Sequence, residues 1–381
     1  MPTLWILRLA CLMQLASMGV LFAFDAVRMK DMGIGETAIG AILAVSSGVF
    51  IGSSIFWGRI ADRRQAHRTI VIWGSVGIGL LLTGFSLSRT PAHFLLYGVL
   101  KGVFMPMISG MMSALAVQAV GRERTGKGIG TYRAFGSMGF ILGTMGLPMI
   151  FDDIGRAAQA AAVIILASVL LLRHLPVPEK TPAEAADRPS RRRHPGILLF
   201  LGAYFFIALG EPSVHAFFTA YARELGGGTR LLGMLSGSMG LVAMISLPLM
   251  GRVIDRVHPA FVLAGAFFAQ PVRIFLISLI DDPHLLWIPI LLHGICWGGI
   301  EVCAIVYLSS LAGARQRATV LSDYMAMRMT GMLVGAALSG WLADHYGYPL
   351  MFRTIAAATL LGAAGWLTGV LALRVDRQAA A

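Results

Sequence analysis

The amino-acid sequence predicts an all-α membrane protein with about twelve transmembrane helices in two six-helix halves. Three observations carry that prediction. Of 381 residues, 57% are apolar or aromatic and 13% are charged, where soluble globular chains hold about 45–50% and about 25%. The apolar residues gather into about twelve runs, each near the roughly 20 residues that cross a hydrocarbon core about 30 Å thick. One short glycine–acid motif occurs at the same boundary in both halves. With a mean hydropathy of +0.75, this excludes a disordered chain, a soluble enzyme and a nucleic-acid-binding domain as default readings.

The predicted spans of the first half lie at 4–24, 38–57, 70–88, 94–118, 130–150 and 157–172. Those of the second lie at 197–219, 231–250, 260–280, 285–311, 320–343 and 351–373. The first run is too long for a cleaved leader and lacks a small-residue cleavage site before Asp25, so it reads as a spanning helix. Pro106, Pro148, Pro248, Pro271 and Pro289 fall inside runs, as kinks whose freed backbone groups neighbouring helices can satisfy. The one long polar connection, 173–196, is rich in Pro, Ala and charge and reads as a flexible cytoplasmic linker. The expected domains are a bundle at 1–172, that linker, and a bundle at 197–381.

The net charge of +12 follows the loops. Loops 58–68, 121–133, 173–196, 251–259 and 312–319 and the tail 374–381 hold 20 Lys and Arg, and the opposite loops hold 6. The asymmetry predicts an even number of spans with both termini in the cytoplasm, in a bacterial inner (plasma) membrane. The basic excess is an orientation signal and calls for no nucleic-acid partner. Cys11, Cys296 and Cys303 lie in apolar runs without CxxC spacing, so no disulfide framework, metal site or cofactor is expected. The expected partners are a small-molecule substrate, a proton and the lipid bilayer, with the chain acting as a monomer.

The duplication rests on Gly58-Arg59-Ile60-Ala61-Asp62-Arg63 and Gly251-Arg252-Val253-Ile254-Asp255-Arg256, which are 193 residues apart. Gly139 and Gly143 in the fifth span recur as Gly331 and Gly335 in the eleventh, a small-xxx-small spacing that lets helices approach closely. Duplicated halves predict a binding site near the membrane midplane, between bundles that rock to alternate access. In the gating reading, Gly58 and Gly251 permit tight turns. Asp62 and Asp255, with Arg63 and Arg256, then make contacts that hold one conformation and break in the other. The alternative is plain loops with topogenic arginines.

These residues resemble the major facilitator superfamily. Gly58, Ala61, Asp62 and Arg63 match its signature loop between helices 2 and 3, with Gln65 in place of the usual second glycine. Within it, 130–140, Gln270-Pro271-Val272-Arg273, Leu292-His293, 302–309 and 340–347 are similar to the lactose permease, nucleoside symporter and phenylpropionate permease group. The resemblance implies the major facilitator fold, alternating access, and a substrate-contacting arginine at Arg133 with a stacking aromatic at Phe140. It also implies functional roles for Arg273 and His293. That group's lactose permeases carry their proton on a carboxylate three residues after the helix 10 histidine, where this chain has Cys296. Residues 109–120 contain no acid to match their sugar-binding carboxylate on helix 4.

Charges within spans are costly, at least roughly 2.5–3.5 kcal/mol at the bilayer centre, and usually face a cavity or a partner. Arg133, Ser137 and Phe140 share one face of the fifth span, offering a cation, a hydroxyl and an aromatic surface; Arg133 is read either as a substrate ligand or as a snorkelling boundary residue. Lys101 resembles the basic residue common in helix 4 of the superfamily. Arg328 lies near the repeat equivalent of Arg133, and both Lys101 and Arg328 are counted with the substrate site. Asp25 ends the first predicted span, close enough to the outer surface to be solvated. Glu211 and His215, at i and i+4 with Pro212 between them, can bond along one face, and burial suits a glutamate to reversible protonation. Glu301 is its rival, His293 has a near-neutral reference pKa, and Arg273 stays charged and can force a nearby carboxylate to release its proton. Glu211, His215, Arg273, His293 and Glu301 are therefore the expected proton-coupling group.

The expected function is a secondary active transporter that moves a small polar or anionic organic solute by alternating access with proton symport. The alternatives are an uncoupled uniporter, which Cys296 favours, and a proton-coupled exporter, whose helix 5 Gly-Pro pair the stretch 143–148 lacks. A membrane sensor or scaffold is a third class. No HExxH, GxSxG or phosphate-loop spacing points to an enzyme.

Overall fold

The computed structural model describes residues 2–120, 125–175, 194–312 and 317–379. Every described element is helical. In chain order the spans are α1 (Pro2–Asp31), α2 (Glu36–Arg64), α3 (His67–Leu87), α4 (Pro91–Val120), α5 (125–150) and α6 (Ile154–Leu172). They continue with α7 (195–224), α8 (Thr229–Ile254), α9 (Pro259–Ile277), α10 (283–311), α11 (317–346) and α12 (348–379). Nine helical stretches among the described residues are long and apolar enough to cross a membrane. One of them holds α11 and α12 together, and α5 and α7 are not among the nine.

Local chemistry sets the boundaries. His194 and His258 accept the backbone N–H of Gly196 and Ala260 at 3.1 and 3.2 Å, and each precedes a proline at the first helical position, where its missing donor costs nothing. Asp153 caps α6 by accepting from Arg156 N at 2.8 Å. Pro106, Pro248 and Pro271 lie within continuous helices. Gly347 separates α11 from α12 with φ 79° and ψ 164°, a region essentially closed to other residues. Gly347→Ala is expected to lower stability by about 1–3 kcal/mol, read as a lower melting temperature of the purified protein.

The described chain forms two compact units, Met1–Glu184 with Thr219–Leu241, and Ala185–Phe218 with Val242–Ala381. In the first, α1 is the central rod, with Phe24, Ala26 and Val27 fully buried. Two of its polar side chains bond inside the unit: Ser17 Oγ donates to Ala161 O at 2.7 Å and Gln14 Nε2 to Ser75 Oγ at 2.9 Å. Gly139 and Gly143 of α5 lie against the α1 backbone so closely that a Cβ would overlap the carbonyls of Leu12 and Ala16. Arg223 of α7 is bonded to Asp31 at 2.8 and 2.9 Å, and Lys30 bridges Glu36 and Glu224 at 2.6 and 2.8 Å.

The second unit repeats the packing. A Cβ at Gly335 of α11 would overlap the Leu209 carbonyl of α7. Its core is aromatic: Phe200 stacks on Tyr204 at 5.5 Å, beside Phe267, Tyr307 and Tyr324, around a fully buried Trp366. Trp366 Nε1 donates to Ala260 O at 3.0 Å, so the one polar atom of that indole is satisfied.

Three expectations change. Gly58 and Gly251 do not form turns; α2 runs on to Arg64 and α8 to Ile254, and both glycines face open space. The chain reverses instead at Gln65, in the left-handed conformation (φ 51°, ψ 38°) that glycine usually takes at a helix end. Arg63, Asp255 and Arg256 are exposed, and the Asp62 side chain lies outside the described residues, as do residues 176–193 of the expected linker. Asp25 is not solvated: α1 extends six residues beyond it and leaves it 2% exposed.

Candidate functional site

The five residues expected to handle protons, and Arg328 with them, converge within the second unit. Helix α7 brings them there by breaking. It stops at Gly210, resumes over Glu211–Val214 and is interrupted again at His215 (φ −115°, ψ −78°). Pro212 sits at the start of the short piece, where its missing N–H is tolerated, and Ser213 Oγ donates to the Gly210 carbonyl at 2.7 Å, alongside the Val214 N–H at 3.2 Å. The breaks turn Glu211 and His215 to different partners, so the expected bond along one helical face is not formed.

Glu211 is bound to Arg328 of α11, whose Nε and Nη2 both lie 3.0 Å from Oε2. Its other oxygen accepts the Tyr204 hydroxyl at 3.1 Å, and Tyr324 OH lies 3.5 Å from that hydroxyl. The third guanidinium nitrogen, Nη1, donates to Glu301 Oε1 of α10 at 2.8 Å. One cation therefore links carboxylates from two helices, with side-chain exposures of 9% for Glu211, 13% for Arg328 and 16% for Glu301. The guanidinium carbon lies 4.6 Å from the Trp297 ring centroid, a cation–π distance.

The histidines form the opposite wall. Arg273, 1% exposed on α9, approaches His293 Nδ1 at 2.9 Å. Arginine can only donate, so this contact requires Nδ1 to be the unprotonated, accepting nitrogen. His215 meets the rings of His293 and Trp297 edge-on at 6.0 and 6.1 Å. Helix α10 widens into a π turn over Gly294–Gly298, between His293 and Glu301. Such turns recur at functional sites. Gly298 packs against Ser246 of α8, where a Cβ would lie 2.6 Å from Oγ. Glu211, His215, Arg273, His293, Trp297 and Glu301 line a small cavity of about 20 Å³, together with Gln270 and Cys296.

The expected substrate ligands of the first unit do not gather in the same way. Arg133 is exposed, and Ser137 and Phe140 are half-buried. Phe140 packs near Phe22, with 6.5 Å between ring centroids. Lys101 is paired with Asp25 at 2.5 Å, and its Nζ lies 5.6 and 5.7 Å from the Phe22 and Tyr97 rings. Asp25→Asn is expected to destabilise the protein by about 3–5 kcal/mol, because it strands a buried ammonium, and Asp25→Asn with Lys101→Met should recover most of that loss. Thermal melts of the single and double variants measure both.

Sequence reasoning did not assign Tyr204, Trp297 or Tyr324 to the site. Tyr324 lies four residues before Arg328, a spacing that places it on its partner's helical face, whereas Tyr204 reaches Glu211 across the break at Gly210.

The profile of the Major Facilitator Superfamily matches residues 6–335. The chain is 24% identical over 376 residues to the multidrug resistance protein MdtG of Escherichia coli strain 55989, covering 93% of this chain and 91% of that one. MdtG of E. coli strain K12 is 24% identical over 373 residues with the same coverage. A crystal structure of a mutant of the nucleoside transporter NupG is similar with a TM-score of 0.83 at 14% identity, over 96% of this chain and 99% of that chain. A POT family transporter in complex with 5-aminolevulinic acid is similar with a TM-score of 0.80 at 13% identity, over 96% and 95%. These structural likenesses bear on the fold.

Proposed function

This chain belongs to the Major Facilitator Superfamily and is a membrane transporter, not an enzyme, and we propose that it carries a small organic solute by alternating access coupled to protons, with Glu211, Arg328 and Glu301 as the coupling group. The single observation behind this reading is one guanidinium shared by two carboxylates deep in an apolar unit. With both acids ionised the triad carries one net negative charge, which one proton cancels. Protonation also turns a carboxylate oxygen from acceptor into donor, which loosens its hold on an arginine that can only donate. The link from α11 to α7 or α10 then depends on proton occupancy, as alternating access requires.

The preference for an anion has little support from this geometry. Of the two cations counted toward such a solute, Arg133 and Lys101, the lysine is already bound to Asp25 and the arginine is exposed. Symport is the sense expected from the sequence. Exchange, with the solute leaving as protons enters, is the second reading, favoured by relatives named for multidrug resistance.

Solute flux in proteoliposomes under an imposed pH gradient tests the proposal. Accumulation should follow the gradient and collapse with a protonophore, and the direction of the gradient that drives it separates symport from exchange. Glu211→Gln with Glu301→Gln should abolish gradient-driven accumulation and retain solute counterflow. Flux that only equilibrates and ignores the gradient would mean uniport.

A further inference from the structure

The cavity of about 20 Å³ in the second unit is too small for an organic solute. It suits one water molecule, which needs roughly 10–15 Å³ and two to four polar partners. Its lining supplies such partners. Gln270 of α9 is 4% exposed and has no described hydrogen bond, although its amide can both donate and accept. Glu301 takes Arg328 Nη1 on Oε1, and its Oε2 has no described bond. His293 lines the same cavity, with Nδ1 committed to Arg273 at 2.9 Å.

That commitment limits what His293 can do. A guanidinium only donates, so Nδ1 carries the lone pair, and a neutral imidazole then holds its hydrogen on Nε2. A second proton would have to enter at Nδ1, against the fully buried guanidinium that donates there. The ring is held from two other sides as well, stacked on Trp297 at 6.0 Å and met edge-on by His215. Glu301 has the opposite requirement. A buried acid that takes and releases a proton needs a hydrogen-bond partner in both states. Arg328 serves the ionised form alone, because it cannot accept. Water donates to a carboxylate and accepts from a carboxylic acid.

We propose that this cavity is the binding site of one ordered water molecule, which accepts the Nε2 hydrogen of a permanently neutral His293, is shared with the Gln270 amide, and partners Glu301 with or without its proton. Arg273 is the positioning residue that keeps His293 in this form. The proposal rests on the proton-coupled reading above and takes His293 out of the proton's path. The titratable and charged groups around the cavity are Tyr204, Glu211 and His215 from α7, Arg273 from α9, and Cys296 and Glu301 on α10. Arg328 and Tyr324 of α11 are bonded to them. His215 can also titrate near neutral pH, so the test must read His293 by itself.

Solid-state nitrogen NMR of the full chain in lipid, isotope-labelled at histidine, provides that reading, with the His293 signals assigned by their loss in His293→Gln. In the wild type Nδ1 should be bare and Nε2 should carry hydrogen, unchanged from about pH 8 to about pH 5, a range in which an ordinary histidine gains its second proton. Arg273→Lys, which also only donates, should keep that form, and Arg273→Gln, which can accept, should let His293 titrate. The Nε2 hydrogen should receive polarisation from a held water. Gln270→Leu, whose side chain offers water no bond, should remove that transfer, and Gln270→Asn should keep part of it, which guards against a Leu variant that merely fails to fold. In proteoliposomes Gln270→Leu should lower gradient-driven accumulation at least about fivefold, the cost of leaving a buried acid without a partner. A second proton on wild-type His293 above about pH 5, hydrogen on Nδ1, or no water contact at Nε2 overturns the proposal. Wild-type accumulation in a folded Gln270→Leu variant would sink the water's link to Glu301. The resonance readouts do not depend on flux, so wild-type transport that ignores the gradient removes the coupling reading while the water site and the fixed imidazole stand or fall on the spectra.

Discussion

Replacing Arg328 with methionine is expected to cost about 3–5 kcal/mol of stability and to abolish transport. The methionine fills much of the volume but leaves Glu211 and Glu301 facing each other without the cation that links them. Tyr204 can donate one hydrogen bond to Glu211, which does not replace a guanidinium. Differential scanning fluorimetry of the purified protein reads the loss as a lower melting temperature. The triple variant Arg328→Met, Glu211→Gln, Glu301→Gln removes the charges together and should regain most of the stability without regaining gradient-driven transport. Full stability in Arg328→Met alone would mean that the three charges are not coupled.

Gly143→Leu is expected to lose more than about 4 kcal/mol, the range reserved for severe steric conflict. A Cβ at that position already overlaps the Ala16 carbonyl of α1, and backbone cannot step aside as a flexible side chain can. The natural control is Gly146→Leu, three residues on, where nothing lies within 4 Å of a Cβ. Size-exclusion profiles of the detergent-solubilised variants should show a folded peak for Gly146→Leu and none for Gly143→Leu.

Such glycines were legible in the sequence because a repeated small-xxx-small spacing has one principal physical use in a membrane. The spans were legible too, since bilayer thickness fixes their length, although charged helix ends extend α1 and α2 beyond the apolar runs. The site was legible by residue type and not by pairing. Glu211, Glu301 and Arg328 each stand out as charges in apolar runs, yet Arg328 meets its partners 117 and 27 positions away, distances that no helical periodicity encodes. Local reasoning coupled Glu211 to His215 because an unbroken helix would do so. The breaks at Gly210 and His215 prevent it. Lys101 passed for a substrate ligand because its partner Asp25, 76 positions away, looked solvated at the end of a shorter predicted helix.

The most direct test of coupling through the triad is a pH-sensitive dye trapped inside proteoliposomes, read while a transported solute is added with no gradient imposed. Solute movement through the wild-type protein should shift the internal pH, and Glu211→Gln with Glu301→Gln should move solute in counterflow without shifting it. Equal solute movement in wild type with no change in internal pH would contradict a proton-coupling role for Glu211, Arg328 and Glu301.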